Sequence, residues 1–227
     1  GLYFGPQKSR RTILWMHGLG SSAFSMLGQV EKLVDSQTSV LTFNNRGHDV
    51  ISRLSTKNKG KPRYGGAAHE VFNECVDDID GAIRFAKKQG AKDIYLVGHS
   101  TGCQKSIFWA AKKGRGVKGI ILLAPVSDWA AGVEKYGKRK VARATEFART
   151  LIKRGKKHEL LPEKVWPEIV DAQRFLSLYT PGSVEEIFSY TQSKKRPVVL
   201  RKVRQPILAL WAEKDEYCTF GTKKVTQ

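Results

Sequence analysis

The residues with the clearest capacity for chemistry are Gly98-His99-Ser100-Thr101-Gly102, a Gly-x-Ser-x-Gly run. It follows the apolar stretch Ile94-Tyr95-Leu96-Val97 and leads at once into an amphipathic stretch from Gln104 to Lys113. That context reads as strand, sharp turn, helix. On such a turn a serine takes a strained backbone conformation that lifts its hydroxyl clear of the sheet, and small neighbours let strand and helix approach closely, which explains Gly98 and Gly102. Ser100 is the candidate nucleophile for attack on an acyl carbonyl. The backbone N–H of Thr101, at the helix start, points where an oxyanion would form. A Gly-x-Ser-x-Gly run alone also occurs in ordinary loops; the strand before it and the helix after it set this one apart.

A second oxyanion donor is expected at His17-Gly18-Leu19-Gly20, directly after the apolar run Thr12–Met16. The Leu19 N–H would donate, Gly20 would give the backbone room, and His17 would be a structural or pocket-floor histidine and not the general base. The acid that fixes the imidazole tautomer and stabilises the imidazolium belongs a few residues past a later strand, which points to Asp215 after Pro206–Trp211. Asp128, just past the strand that ends at Ala124, is the rival for that role. None of the five histidines (His17, His48, His69, His99 and His158) lies beyond Asp215. His48 falls in a loop after a strand and reads as structural. His99, adjacent to Ser100 on the turn, projects away from the hydroxyl. The chemistry requires no cofactor and no metal, and Asp77, Asp78 and Asp80 read as an outer helix face with no metal constellation near them.

The elements that must position these groups alternate. Continuous apolar runs at Thr12–Met16, Val40–Asn44, Ile94–Val97, Gly119–Ala124 and Pro206–Trp211 are separated by helical patterns, notably Phe72, Cys75, Ile79, Ile83 and Ala86. This predicts an α/β fold with a mostly parallel sheet covered by helices on both faces, and Leu2–Phe4 as an edge strand. Lys57 to Gly66 reads as an exposed loop. From Trp129 to Arg196 the alternation breaks into helices (Val141–Arg154, Pro162–Tyr179, Val184–Ser193), either a cap over the pocket or peripheral packing. The expected organisation is a core at 1–128, a helical cap insertion at 129–196, and the core resumed at 197–227.

Composition bounds the rest. With 227 residues and 41% hydrophobic content the chain suits one domain. It contains no apolar run of about 18 residues, so no transmembrane segment is expected. The first residues lack a signal-peptide pattern, although the chain starts at Gly1 rather than Met, which leaves a leader open. Cys75, Cys103 and Cys218 have no paired spacing, which argues for reduced thiols and a cytoplasmic location. Forty Lys+Arg against 21 Asp+Glu give +19, but the cations are dispersed without an aromatic platform and read as a solvated surface with no specific nucleic-acid partner. Oligomeric state is not legible.

Taken together, His17-Gly18, Gly98-His99-Ser100-Thr101-Gly102 and Asp215 resemble the alpha/beta-hydrolase superfamily over essentially the whole chain. More narrowly, Gly98–Gln104, Ala124-Pro125-Val126-Ser127-Asp128 and Asp171–Leu178 resemble the fungal and plant family that includes siderophore esterases. The resemblance implies a small-molecule acyl ester as substrate, in some members a hydroxamate siderophore, with Ser100 as nucleophile and Asp215 as triad acid. It also implies a triad histidine well past the acid, together with a last strand and helix, beyond residue 227. A thioesterase, peptidase or acyltransferase using the same acyl-enzyme stays open, as does a binding module whose catalysis has lapsed.

Overall fold

The computed structural model describes residues 1–55, 62–192, 196–215 and 217. The strands are β1 (Leu2–Phe4), β2 (Arg11–Met16), β3 (Thr38–Thr42), β4 (Ser52–Leu54), β5 (Arg63–Gly65), β6 (Asp93–His99), β7 (Gly119–Leu123) and β8 (Ile207–Leu210). The helices are α1 (Leu27–Glu31), α2 (Cys75–Lys88), α3 (Thr101–Lys112), α4 (Asp128–Tyr136), α5 (Lys138–Lys153) and α6 (Ala172–Tyr179). Six strands form one sheet in the order β1-β3-β2-β6-β7-β8. All neighbours in it are parallel except β1, which pairs antiparallel with β3 as the predicted edge strand. This is the expected α/β architecture of the alpha/beta-hydrolase fold.

Period-2 alternation along β2 shows how both faces are covered. Leu14 and Met16 enter a core with α2 and α3 (Ile79, Ile83, Ile107, Trp109), whereas Ile13 and Trp15 enter a second core with Val30 of α1 and Val40. The winding reverses between β2 and β6, so a crevice opens where their carboxyl ends lie side by side. Both predicted motifs, His17–Gly20 and His99–Gly102, stand at those ends. At the other edge β8 leaves Ile207, Leu208 and Leu210 exposed.

Between β7 and β8 the chain forms a third apolar cluster of its own, centred on Trp166, Phe175 and Tyr179 with Val141, Ala144 and Ala148 of α5. The helices differ from the sequence prediction. The expected helix at Pro162–Tyr179 begins only at Ala172, because Pro162 and Pro167 lack an N–H and Asp171 caps the N-terminus by accepting from the Arg174 N–H at 2.7 Å. Residues 184–192 form no helix; Ile187 and Phe188 are drawn into the core against α2 and α3 instead. Asp128–Tyr136 is helical, with Ser127 as its cap. Arg63–Gly65, expected as loop, pairs with Ser52–Leu54 in a hairpin. Asp78 and Asp80 are not a free outer face: Asp78 binds the Arg46 guanidinium and Asp80 accepts from Trp109 Nε1 at 2.7 Å. No helix among the described residues is long and apolar enough to cross a membrane.

One buried chain of charges joins the helical segment to the sheet. Lys105 of α3 pairs with Glu70 at 2.6 Å, Glu70 pairs with Arg174 of α6 at 3.1 Å, and Arg174 pairs with Glu185. All four are buried, two cations alternating with two anions. Burial raises the pKa of Glu70, but Lys105 and Arg174 outweigh it and hold the carboxyl below its ordinary value. Arg174→Met should therefore cost about 3–5 kcal/mol in urea unfolding, because it leaves two buried carboxylates without their shared cation. Arg149→Ala, which removes an exposed pair with Glu146, should cost under about 1 kcal/mol. Equal costs for the two variants would show that the buried chain does not hold the fold.

Candidate active site

Ser100 sits between β6 and α3 with φ 52° and ψ −123°, a conformation sparsely populated by residues with a side chain. The strain is imposed from both sides. The Ser100 N–H donates to Leu123 O at 2.9 Å, continuing the ladder with β7, while its carbonyl already accepts from the Cys103 N–H at 2.9 Å. Glycine is required next to it: a Cβ on Gly98 would lie 2.4 Å from Gly102 O, and one on Gly18 would lie 3.0 Å from Ser100 Cβ. Gly18 thus brings the second predicted motif against the serine. Gly102 in turn packs against the carbonyl of Met16, where a Cβ would lie at 2.5 Å.

The two predicted oxyanion donors, the N–H groups of Leu19 and Thr101, make no hydrogen bond within the protein among the described residues. Both residues line a cavity of about 600 Å³ together with Gly18, His99 and Ser100. Its other wall comes from the helical segment: Asp128, Glu134, Lys135 and Tyr136 near α4, with Glu168 and Tyr179 above. Glu168 accepts from the hydroxyls of Tyr136, at 2.5 Å, and Tyr179. Burial, and then the Glu168 charge, push the Tyr179 hydroxyl well above its ordinary pKa, so it stays a donor. Sequence reasoning missed Tyr136, Tyr179 and Glu168, which carry no motif and meet only in the fold. The basic helix residues do not reach this lining except for Lys135; Arg139, Lys140, Arg143 and Lys164 line a separate cleft of about 680 Å³. A basic cap favouring anionic substrates is therefore not what the cavity presents.

The two candidate acids differ in state. Burial, with Glu185 nearby, holds the Asp128 carboxyl well above the usual carboxylate range, and its Oδ2 accepts from Gln104 Nε2 at 2.9 Å. A carboxyl whose charged form is disfavoured by burial is the poorer candidate to stabilise an imidazolium by charge. Asp215, whose Oδ1 accepts from the Tyr217 N–H at 2.9 Å, lies near enough to the elbow for its charge to be felt at His99. Burial lowers the pKa of His99 and Asp215 partly opposes that.

None of the five histidines hydrogen-bonds to Ser100 among the described residues. His17 is buried, with Nδ1 2.8 Å from Gly18 O. His48 Nδ1 is 2.9 Å from Asn45 O, a loop-stabilising contact as expected. His69 and His158 both turn to Asp171. Cys75 and Cys103 are buried free thiols whose pKa is raised by burial, and Cys218 lies outside the described residues.

With this sheet, crevice and elbow the molecule has the alpha/beta-hydrolase fold, and comparison with solved structures agrees. It is similar to the siderophore hydrolase EstB from Aspergillus fumigatus (20% identity, TM-score 0.65, 97% of this chain and 76% of that one). It is also similar to the Pyrococcus furiosus esterase PF2001 (18%, 0.55, 97% and 68%) and to a soluble variant of monoglyceride lipase from Saccharomyces cerevisiae (15%, 0.54, 99% and 86%). The chain belongs to the family described as "Protein of unknown function (DUF1749)", which it matches over residues 7–226. No match was found among curated proteins.

The state of His17 gives a pH dependence. Burial, then the positive charge of Lys105, lower its pKa from 6.5 to about 4. Between those values the unfolded chain binds the proton and the folded one does not, so stability is full above pH 6.5 and falls as pH drops toward 4. The loss is on the order of 3 kcal/mol. His17→Gln should flatten the stability profile across this window in urea unfolding at a series of pH values. An unchanged slope would mean that His17 takes up its proton without cost.

Proposed function

We propose that the protein is a serine hydrolase of carboxylic esters that works through an acyl-enzyme. The observation that carries this reading is Ser100 in a strained turn facing a cavity bordered by two unengaged N–H groups. Ser100 Oγ attacks the acyl carbonyl, and the Leu19 and Thr101 N–H groups receive the developing oxyanion. Asp215 orients the imidazole of the general base. Residues 129–196 act as a cap that shapes the acyl pocket, and no cofactor takes part. Likeness to EstB makes hydroxamate siderophore esters the first natural substrates to try, beside simple acyl esters.

In the full-length protein a fluorophosphonate probe should label one serine, and Ser100→Ala should abolish both labelling and ester hydrolysis. Labelling that persists in Ser100→Ala would overturn the assignment. Asp215→Asn should lower kcat by about 10⁴-fold, the cost of losing the carboxylate that fixes the base. Asp128→Asn should change kcat far less, since it leaves the carboxylate of Asp215 in place. The reverse ranking would make Asp128 the acid.

The absence of a histidine bonded to Ser100 among the described residues favours a second reading, a binding module on the same fold. The two readings separate on turnover: a module would bind acyl ligands without a serine-dependent rate.

The lining also sets a charge preference. Glu134, Glu168 and Lys135 share the lining, with Lys135 3.5 Å from Glu168, and on this reading the cavity favours uncharged or cationic esters over anionic ones of equal length. Comparing kcat/KM for a matched cationic, neutral and anionic series at low and high salt checks this, with the preference expected to shrink as salt screens the rim. Faster turnover of the anionic member would show that the surface charge governs entry.

A further inference from the structure

Away from the cavity, three potential metal ligands converge at the seam between the sheet domain and the helical segment, and we propose that His69, His158 and Asp171 form a binding site for a zinc-class divalent cation. His69 follows the β4–β5 hairpin, His158 lies in the loop after α5, and Asp171 is the residue before α6. Both imidazoles direct Nδ1 at the same oxygen, Asp171 Oδ2, each at 2.9 Å. All three ligand atoms lie within 4.8 Å of one another. With bonds of about 2.0–2.1 Å, neighbouring ligand atoms around a tetrahedral zinc stand about 3.3 Å apart, so an ion can enter if the two nitrogen–oxygen contacts open by a few tenths of an ångström and the imidazole nitrogens, within 4.8 Å of each other, settle at that spacing.

The scaffold holds the three segments in place without an ion. The Asp171 N–H donates to Ala68 O at 2.9 Å, beside His69. The Ala172 N–H donates to Glu159 O at 3.1 Å and the Gln173 N–H to Lys157 O at 3.0 Å, on either side of His158. The other Asp171 oxygen accepts from the Arg174 N–H at 2.7 Å, which orients the carboxylate and leaves Oδ2 turned to the imidazoles. Asp171 is buried while His158 is half exposed, so the site has an anchored ligand, a route of entry and a solvent-facing position for a water as fourth ligand. Arg174, whose N–H caps onto Asp171, is already matched by Glu70 and Glu185 and does not bar a second positive charge.

Two imidazoles and one carboxylate form a mixed N/O set that suits zinc and neighbouring late transition metals and suits magnesium or calcium poorly. Cys75 and Cys103 are buried and protonated, so they offer no competing thiolate. A bound ion would fasten the turn at His69 to the helical segment at His158 and Asp171, adding a metal clip to the buried charge chain beside it.

The test uses tag-free full-length protein stripped with EDTA and titrated with Zn²⁺ by calorimetry, and with Co²⁺ followed by its visible absorption. One equivalent should bind, with the absorption of a tetrahedral cobalt ion and a raised Tm. His69→Ala and His158→Ala should each weaken binding by at least about tenfold, with circular dichroism confirming that both variants are folded. His158 is the safer variant because its ring is half exposed. Fluorophosphonate labelling of Ser100 should be the same in both, since neither histidine lines the catalytic cavity. No saturable one-to-one binding, or unweakened binding in either variant, would overturn the proposal and leave the cluster as a hydrogen-bonded one.

Discussion

The structure depends on a neutral chain of buried charges, Lys105–Glu70–Arg174–Glu185. Each ion alone would be too costly to bury, and alternation of sign makes the burial tolerable only when all four are present. That requirement ties together parts distant in sequence: helix α3, the turn before α2, and the helical segment. Lys105 lies little more than one turn after Ser100 on a helix whose residues Thr101 to Ala110 are all buried. Its charge reaches His17, which it helps keep neutral. The same Arg174 that closes the chain belongs to the helix whose cap, Asp171, meets His69 and His158. Position of the helical segment and electrostatics beneath the elbow therefore come from one set of interactions.

A rigid seam of this kind suits a strained serine. The backbone of Ser100 is held out of its ordinary range by a strand on one side and a buried helix on the other. Such strain persists only where the surroundings over-determine it. A helix free to shift would relax the turn and withdraw the hydroxyl; α3 is fixed along one face by the apolar core and at Lys105 by charge.

What could be read from sequence was local. The parallel sheet showed in continuous apolar runs, and the turn at Ser100 showed because glycine, serine and glycine must stand at fixed spacing for strand and helix to meet. The helical segment was read less well, because Pro162 and Pro167 interrupt an otherwise helical pattern and because Ile187 and Phe188 pack inward without helical periodicity. Lys105 looked like one more cation in a basic chain, and no local rule marks a lysine that will be fully buried. The raised pKa of Asp128 was equally hidden, since it comes from desolvation and from Glu185, which only folding brings near. The stretch Asp171–Leu178 stood out as a resemblance; in the structure it supplies the cap at Asp171, the central cation of the charge chain at Arg174, and apolar anchors at Phe175 and Leu178.

The contrast between the charge of the chain and the lining of its cavity follows from distance. A net charge of +19 describes a surface whose field decays within about 8 Å at physiological ionic strength, so the dispersed cations act mainly on what approaches from solution. Inside the cavity the nearest groups decide, and there Glu134, Glu168, Lys135, Tyr136 and Tyr179 share one lining with Ser100. Water is scarcer and screening weaker in such a space, so a charge in the lining counts for more than one of equal size on the exposed surface. The surface and the cavity thus present different fields, one set by dispersed cations and the other by the groups that share a lining with Ser100.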